Sequence, residues 1–545
     1  MNEISIPLDT LATLTDLEGR PLARDASPEA LCADIGSRYD FLDRPLSVQL
    51  EGACVLIRWA AESEEVQAQA ARLLERAARR AHEGEHERVV ALCRQALRFQ
   101  PLLRAARREL ARAYTQAGDR VNAITTLWQI LRLDPGDMGA ILGLGWLLLQ
   151  EAGHESAEGL ARMAMDREPS NADPLDLLGQ ALVQAGREAE ALDAFGRALV
   201  LNPHSPGPRL GAAKALFQQG KAEESRVRLE ELFKQAEGAE ETGHAPPFVA
   251  AARELYLNVQ KHLARRDIEP MRRALEEFRR RLEVEHGVPI RVTRFEEKAG
   301  WVQLAWTHGR DHHLVGGPPG LPELARLHLL GQQLVRVELE AEAYRAGKFR
   351  AINPKPAQDA SWSGLFAGVA HDLRRGGFGQ GVIDRTIQQA SDLLRDLVCN
   401  LPLDMLSERR LRTHLPILAP AQFLSLHDFM GESGKASDDD LARLLRVLPR
   451  PLWRPALAMD GAWRVFCDEL LASATDCSVP CRALPTFDLS LRLLRQWEAS
   501  AAQLGPGGHY GLVDGFASIL GLKGLYELRE VHFEHQGTGE QAFSA

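Results

Sequence analysis

Prolines stand at positions 101, 135, 169 and 203, one every 34 residues. Between them the same residue types return in register. The stretch Arg104–Pro135 carries Leu110, Ala111, Tyr114, Ala123 and Leu127. The next copy carries Leu144, Gly145, Leu148, Ala157 and Ala161, and the third Leu178, Gly179, Leu182, Ala191 and Phe195. A weaker copy precedes them, with Ala77, Val89, Cys93 and Ala96, and another follows, with Ala213, Leu216, Ser225 and Leu229 and no closing proline. A fixed period of this size means one supersecondary unit used repeatedly, which buries its apolar face only against its neighbours, so at least about three units must stack. Apolar residues at helical spacing predict two antiparallel helices per unit, and Gly145, Ala157, Gly179 and Ala191 let them approach closely. Gly118 and Gly186 suit a left-handed end to the first helix. Each proline lacks an N–H and stops the second.

This pattern resembles the tetratricopeptide repeat (TPR). Leu110-Ala111, Leu144-Gly145 and Leu178-Gly179 stand at that family's Leu-Gly position, and Tyr114, Ala123, Leu127 and Pro135 at its Tyr, Ala, Phe and Pro positions. The resemblance implies an α-solenoid of about five repeats over residues 61–235. It also implies a concave groove lined by the first helix of each pair, which in that family often takes an extended peptide or a partner helix. Here the groove would carry Arg108, Arg112, Gln116, Trp146, Gln150, Gln180, Gln184, Lys214 and Gln218. It would be polar and modestly basic, without the dense Lys/Asn set of the carboxylate-clamp members. The same residues also suit a solvated face or an internal docking surface.

Other function classes recede on composition. The chain has 545 residues and a net charge of −10, which does not suggest a nucleic-acid binder. No apolar run approaches the roughly 20 residues of a membrane span, and the start MNEISIPLDT does not read as a secretory leader. Seven cysteines, an odd and sparse number, fit a reducing cytoplasm better than a disulfide framework. The Ala/Leu/Arg-rich composition suggests a bacterial source.

The flanks are not repetitive. Residues 1–60 read as a small α/β unit, with a hairpin around Glu51-Gly52 and a short helix over Pro28–Tyr39, serving as a cap on the first repeat or as a separate adaptor. Residues 236–267 read as a linker, Glu237–Pro247, and a capping helix, Phe248–Ala264. Residues 268–545 read as a mixed, mostly helical α+β domain. It opens with a charged helix (Ile268–His286) and a strand pair (Pro289–Phe295 and Trp301–Trp306, turning at Lys298–Gly300). The loop Gly316–Gly320 follows, then a long helix, Leu321–Ala346, with further helices at 382–398, 402–413, 419–430, 438–446, 484–503 and 510–520. The fold class is therefore mainly α.

A strand pair before a long helix resembles the zincin metallopeptidases, whose His-Glu-x-x-His helix holds zinc and a catalytic glutamate. The stretch Gly331–Glu340 is similar to such a helix with its motif replaced. Gln332 and Arg336 would stand for the histidines and Gln333 for the glutamate, with Asp404 or Glu408 marking the third-ligand site. Glutamine is a poor zinc ligand, and a guanidinium is permanently cationic. The resemblance thus implies a degenerate site, with Glu408 salt-bridged to Arg336 where a metal once sat. An amphipathic core helix is the plain alternative.

Other groupings carry less. His308, Asp311, His312 and His313 read as a loop of solvated histidines. Cys477 and Cys481, with Cys467, lack the paired CxxC of a zinc site. Gly376–Gly381 reads as a connector, since no strand precedes it. Cys399, His427 and Asp428 make a nucleophile set only if the fold joins them. The expected function is a non-enzymatic, cytoplasmic protein–protein interaction scaffold: a TPR groove for a protein or peptide partner beside a pseudoenzyme domain, with no cofactor and no metal. The alternative is a peptidase-like hydrolase with TPR-recruited substrate, or a structural subunit whose groove is filled internally.

Overall fold

The computed structural model describes residues 2–23, 26–236, 247–294, 301–355, 360–430, 453–472 and 474–531. The expected turn at Lys298–Gly300, linker at 237–246, helix at 438–446 and polar tail after Phe533 lie outside the described residues. The chain divides into two compact units, Met1–Arg228 and Leu229–Ala545.

The first unit opens with a three-stranded antiparallel sheet, order β1-β3-β2, of β1 (Asn2–Pro7), β2 (Ser47–Glu51) and β3 (Cys54–Trp59). The β2–β3 turn is the expected hairpin, with Gly52 at φ 61°. β1 and the helix after it, α1 (Leu8–Leu17), escaped the sequence reading: β1 offers only Ile4 and Ile6 as alternating buried residues. α2 (Pro28–Ser37) is N-capped by Ser27, which accepts from the Ala30 N–H.

Five helix pairs follow: α3 (Glu64–His82) with α4 (His86–Phe99), α5 (Arg104–Gln116) with α6 (Arg120–Leu133), α7 (Met138–Gln150) with α8 (His154–Arg167), α9 (Asp173–Gln184) with α10 (Glu188–Leu201), and α11 (Pro206–Gln218) with α12 (Ala222–Ala236). The first helix of each pair is called A here and the second B. The period is written in the backbone as well as the residues. Gly84, Gly118, Gly186 and Gly220 close their A helices at φ 71–77°, and Ala152 fills the same place at φ 59°. A Cβ on Gly179 would lie 2.4 Å from the Phe195 ring, and one on Gly211 2.3 Å from it. The two glycines therefore form the slot that buries this side chain.

The amino-terminal sheet and its helices pack on the B side of the array. The Ser156 hydroxyl donates to the Leu17 carbonyl (2.7 Å) and the Tyr39 hydroxyl to that of Arg132 (2.8 Å). Arg132 grips both carboxylate oxygens of Glu18 at 2.5 Å, largely out of solvent. Leu133 joins the core of the sheet, and Phe41 lies under the buried Arg107 guanidinium, 4.6 Å from it. The docking surface is thus α6 and α8 with the α4–α5 junction. The amino-terminal unit, expected as a cap on the first repeat or as a separate adaptor, packs along the first three helix pairs.

The second unit holds α13 (Pro247–Arg266), α14 (Ile268–His286), β4 (Ile290–Arg294), β5 (Trp301–Gln303), the single turn α15 (Ala305–His308), β6 (His313–Gly317) and α16 (Glu323–Arg345). β4 and β5 do not pair with each other as expected: β6 lies between them, parallel to β4 and antiparallel to β5. The sequence reading missed β6 because it took His313 for solvated and Gly316-Gly317 for loop; both glycines belong to the strand. Next come β7 (Arg350–Pro354), α17 (Ala360–Arg375), α18 (Gln380–His414), α19 (419–430), α20 (Trp453–Leu470), α21 (Val479–Arg482), α22 (Phe487–Ala501), α23 (His509–Leu520) and β8 (Tyr526–Glu530), which pairs antiparallel with β7. The expected break before residue 402 is absent, and α18 runs unbroken through Pro402. Burial of Val398, Leu403, Met405 and Leu406 outweighs the lost N–H, and Trp497 Nε1 donates to the Pro402 carbonyl at 2.8 Å. The core is one cluster centred on α16, α18, α20, α22 and α23.

Candidate functional site

On the A helices, Arg112, Gln116, Gln150, Gln184, Lys214 and Gln218 are exposed and Trp146 is half-buried against the α7–α9 core. Several side chains of this face are already engaged within the array. Arg108 is exposed but its guanidinium meets Asp137, the N-cap of α7, at 2.6 Å. Arg112 meets Glu109 at 2.5 Å, and Gln184 donates to the Leu149 carbonyl on the preceding A helix at 3.0 Å. Gln180 donates to Asp176 at 3.5 Å, and burial pushes the Asp176 carboxyl up to about 6. Two of these contacts tie α5 to α7 and α7 to α9, and the face leaves amides, one indole edge and scattered cations outward. Such a surface suits hydrogen bonding to peptide backbone more than a dense charge cluster.

In the second unit the chemistry-bearing residues line one stripe of α16. His328, Gln332, Arg336 and Glu340 follow at intervals of four, so they share a helix face. Opposite them α18 carries Asn400, Asp404 and Glu408, also four apart. The expected Glu408–Arg336 bridge is not formed. Glu408 is buried and meets His328 Nε2 at 2.9 and 3.0 Å, while Gln422 Nε2 donates to it at 2.7 Å. Arg336 is one step further along, near Asp404 (3.4 Å) and Asn400 (3.5 Å). Two stripes of opposite direction pair rung by rung, so His328 takes the glutamate and Arg336 the aspartate. Gln332 is half-buried, and Gln333 points the other way, donating to the Gly316 carbonyl at 2.6 Å. Beyond Arg336, the Tyr510 hydroxyl donates to Glu340 at 2.6 Å and His509 lies 3.4 Å from the same carboxylate. The sequence reading passed over His328, Gln422, His509 and Tyr510, although the spacing of His328 from Gln332 was a signal in plain view.

The remaining groupings resolve as structure. His313 is fully buried, with Trp306 edge-on at 4.6 Å and Nδ1 accepting from the Ala305 N–H, so it is not a solvated loop residue. Burial pushes the Cys399 thiol up to about 12 and those of Cys477 and Cys481 to about 11, the reverse of an activated nucleophile. His427 stacks on Phe423, with ring centres 5.6 Å apart. Gly379 precedes α18 as its cap, with no strand leading into it. Among the described residues no three His, Cys, Asp or Glu side chains converge in metal-binding geometry. Among them too, no helix is long and apolar enough to cross a membrane.

Residues 182–241 match the family model described as tetratricopeptide repeat. Over that stretch the chain is a tetratricopeptide-repeat segment. No curated protein sequence matches the chain. Similar solved structures include the following, each covering about a third of this chain. The crystal structure of MamA protein is 16% identical, covering 33% of this chain and 96% of its own, with a TM-score of 0.29. MamA 41-end from Desulfovibrio magneticus RS-1 is 17% identical, covering 33% and 98%, at 0.30. A thermophilic TPR protein of Thermus thermophilus is 18% identical, covering 31% and 91%, at 0.27.

Proposed function

We propose that this chain is an interaction scaffold that takes a protein or peptide partner on the A-helix face of its TPR array. The observation that carries the reading is the placement of the amino-terminal unit. It spends its buried ion pair and its hydrogen bonds on the B helices α4, α6 and α8, whereas Arg112, Gln116, Gln150 and Lys214 stand exposed on the A helices. The test compares wild type with an Arg112→Glu/Trp146→Ala variant by quantitative partner recovery. A fall of at least roughly tenfold supports the groove, and equal recovery by a folded variant overturns it.

The second part of the proposal is that the carboxy-terminal unit does no zinc-assisted hydrolysis. Zinc requires three protein ligands around an open position. At this seam Glu408 is engaged by His328 and Gln422, and the next rung is a guanidinium held by Asp404. Metal analysis of the purified full chain should find well under about a tenth of an equivalent of zinc; near one equivalent would restore the hydrolase reading.

A further inference from the structure

We infer that the free edge of β1, with the cleft beside it, takes an extended peptide segment of a partner protein as a further antiparallel strand. The site is apart from the A-helix face. The Leu8 N–H donates to the Ala53 carbonyl at 2.8 Å, continuing the register of the β1–β3 ladder. Opposed residues of an antiparallel pair alternate between bonded and unbonded. Ile6 and Ile4 are therefore bonded to β3, and the main-chain N–H and C=O groups of Glu3 and Ser5 point away from it. No backbone group of another described residue meets them. Pro7, which lacks an N–H, ends the row. Main-chain donors and acceptors at a spacing of two residues match those of another strand.

The cleft shows what kind of strand. It measures about 490 Å³ and runs along four consecutive residues, Glu3–Ile6. Each face of a strand presents alternate residues, so an unbroken run marks the edge. The facing wall comes from the turns after α4 and α6. Its Leu102 and Leu133 belong to the same apolar cluster as Ile4 and Ile6, which gives the cleft an apolar floor. The charged groups of the lining are already matched: Arg104 meets Asp134 at 2.7 Å, and Glu3 meets Arg58 at 2.5 Å. The cleft thus offers main-chain hydrogen bonds and apolar contact rather than charge. That chemistry fits a neutral extended backbone with aliphatic side chains on its inner face. A second folded copy would carry the same wall beside its own β1, which keeps two edges from the roughly 4.7–4.9 Å spacing of paired strands. A single extended segment meets no such obstacle.

The test is fluorescence anisotropy on the full chain with a labelled six-residue peptide of alternating threonine and valine, the length of β1. In antiparallel register the valines lie over Leu102 and Leu133, and the threonines pair with Glu3 and Ser5. N-methylation of the threonines should weaken binding at least roughly tenfold, and N-methylation of the valines should leave it unchanged. Ser5→Pro should weaken binding to the same degree, since it removes a donor from the free edge and none from the ladder. Its melting is checked first; if that protein unfolds, Leu102→Asp, which puts a charge on the apolar floor, carries the test. The Arg112→Glu/Trp146→Ala variant should bind the peptide as wild type does, so failure here and failure of the groove are told apart. No binding, equal effects of the two methylations, binding that survives the substitution at the cleft, or loss of binding in the groove variant overturns the inference. So does a dimer of the full chain that Ser5→Pro dissolves, because a second copy would then occupy the edge.

Discussion

At Ala152 the backbone takes φ 59° where the four equivalent positions of the array carry glycine. A side chain in that region costs roughly 1–2 kcal/mol, partly offset by the unfolded-state entropy that glycine adds. Ala152→Gly should therefore stabilise the protein by about 0.5–1 kcal/mol in urea unfolding; no gain would mean the turn has relaxed around the methyl group. His313 gives the opposite lesson about single residues. Burial pushes its imidazole down to about 4, with His286 and His312 acting in the same direction. Folding thus holds it neutral where the unfolded chain would bind a proton. The stability it contributes is present above the ordinary histidine range and is lost as pH falls from about 6.5 toward 4, by up to about 3 kcal/mol. His313→Asn, which keeps an acceptor for the Ala305 N–H, should flatten the fall in urea midpoint between pH 7 and pH 5; an unchanged slope would assign it to other groups. Neither residue was legible in advance. The glycine series was visible in the sequence, but the strain at Ala152 needed a φ angle, and a histidine beside two others in a polar run looks solvated until its strand is placed.

The helix pairs were readable because every copy repeats the same local solution. Gly179 and Phe195 announce a close approach from spacing alone, and that approach is the one seen. The α16–α18 seam was readable only by half. The four-residue interval of Arg336 and Glu340, and of Asp404 and Glu408, is a property of one helix each. Which rung meets which depends on how two distant helices slide past one another, and no local pattern records that. Hence Glu408 was expected on Arg336 and is found on His328. The strand order failed for the same reason, since β6 inserts between two neighbours in sequence. The seam carries its own prediction. Glu408→Ala leaves His328 and Gln422 without their acceptor and should cost about 3–5 kcal/mol, whereas His328→Leu/Glu408→Met should recover much of that loss. A double-mutant cycle by urea unfolding measures it; additive losses would mean the pair contributes nothing jointly.

Within the first unit, the repeats give a surface and the amino-terminal module decides which side of it is spoken for. One largely buried ion pair is among the contacts that hold the amino-terminal unit to the array, so Arg132→Ala should leave Glu18 uncompensated and cost about 3–5 kcal/mol. It should also speed proteolytic cleavage near the α1–α2 connection; an unaltered digestion pattern would show that the apolar contacts suffice. Stacked repeats touch only their neighbours, so such arrays flex as a leaf spring does, each pair hinging slightly on the next. Bolting the end of α1 across the backs of two adjacent leaves, as Ser156 and Arg132 do here, should stiffen that stretch and leave the bending to the pairs beyond it. A guest on the opposite side would meet a firm seat at α5 and α7 and a yielding one at α9 and α11.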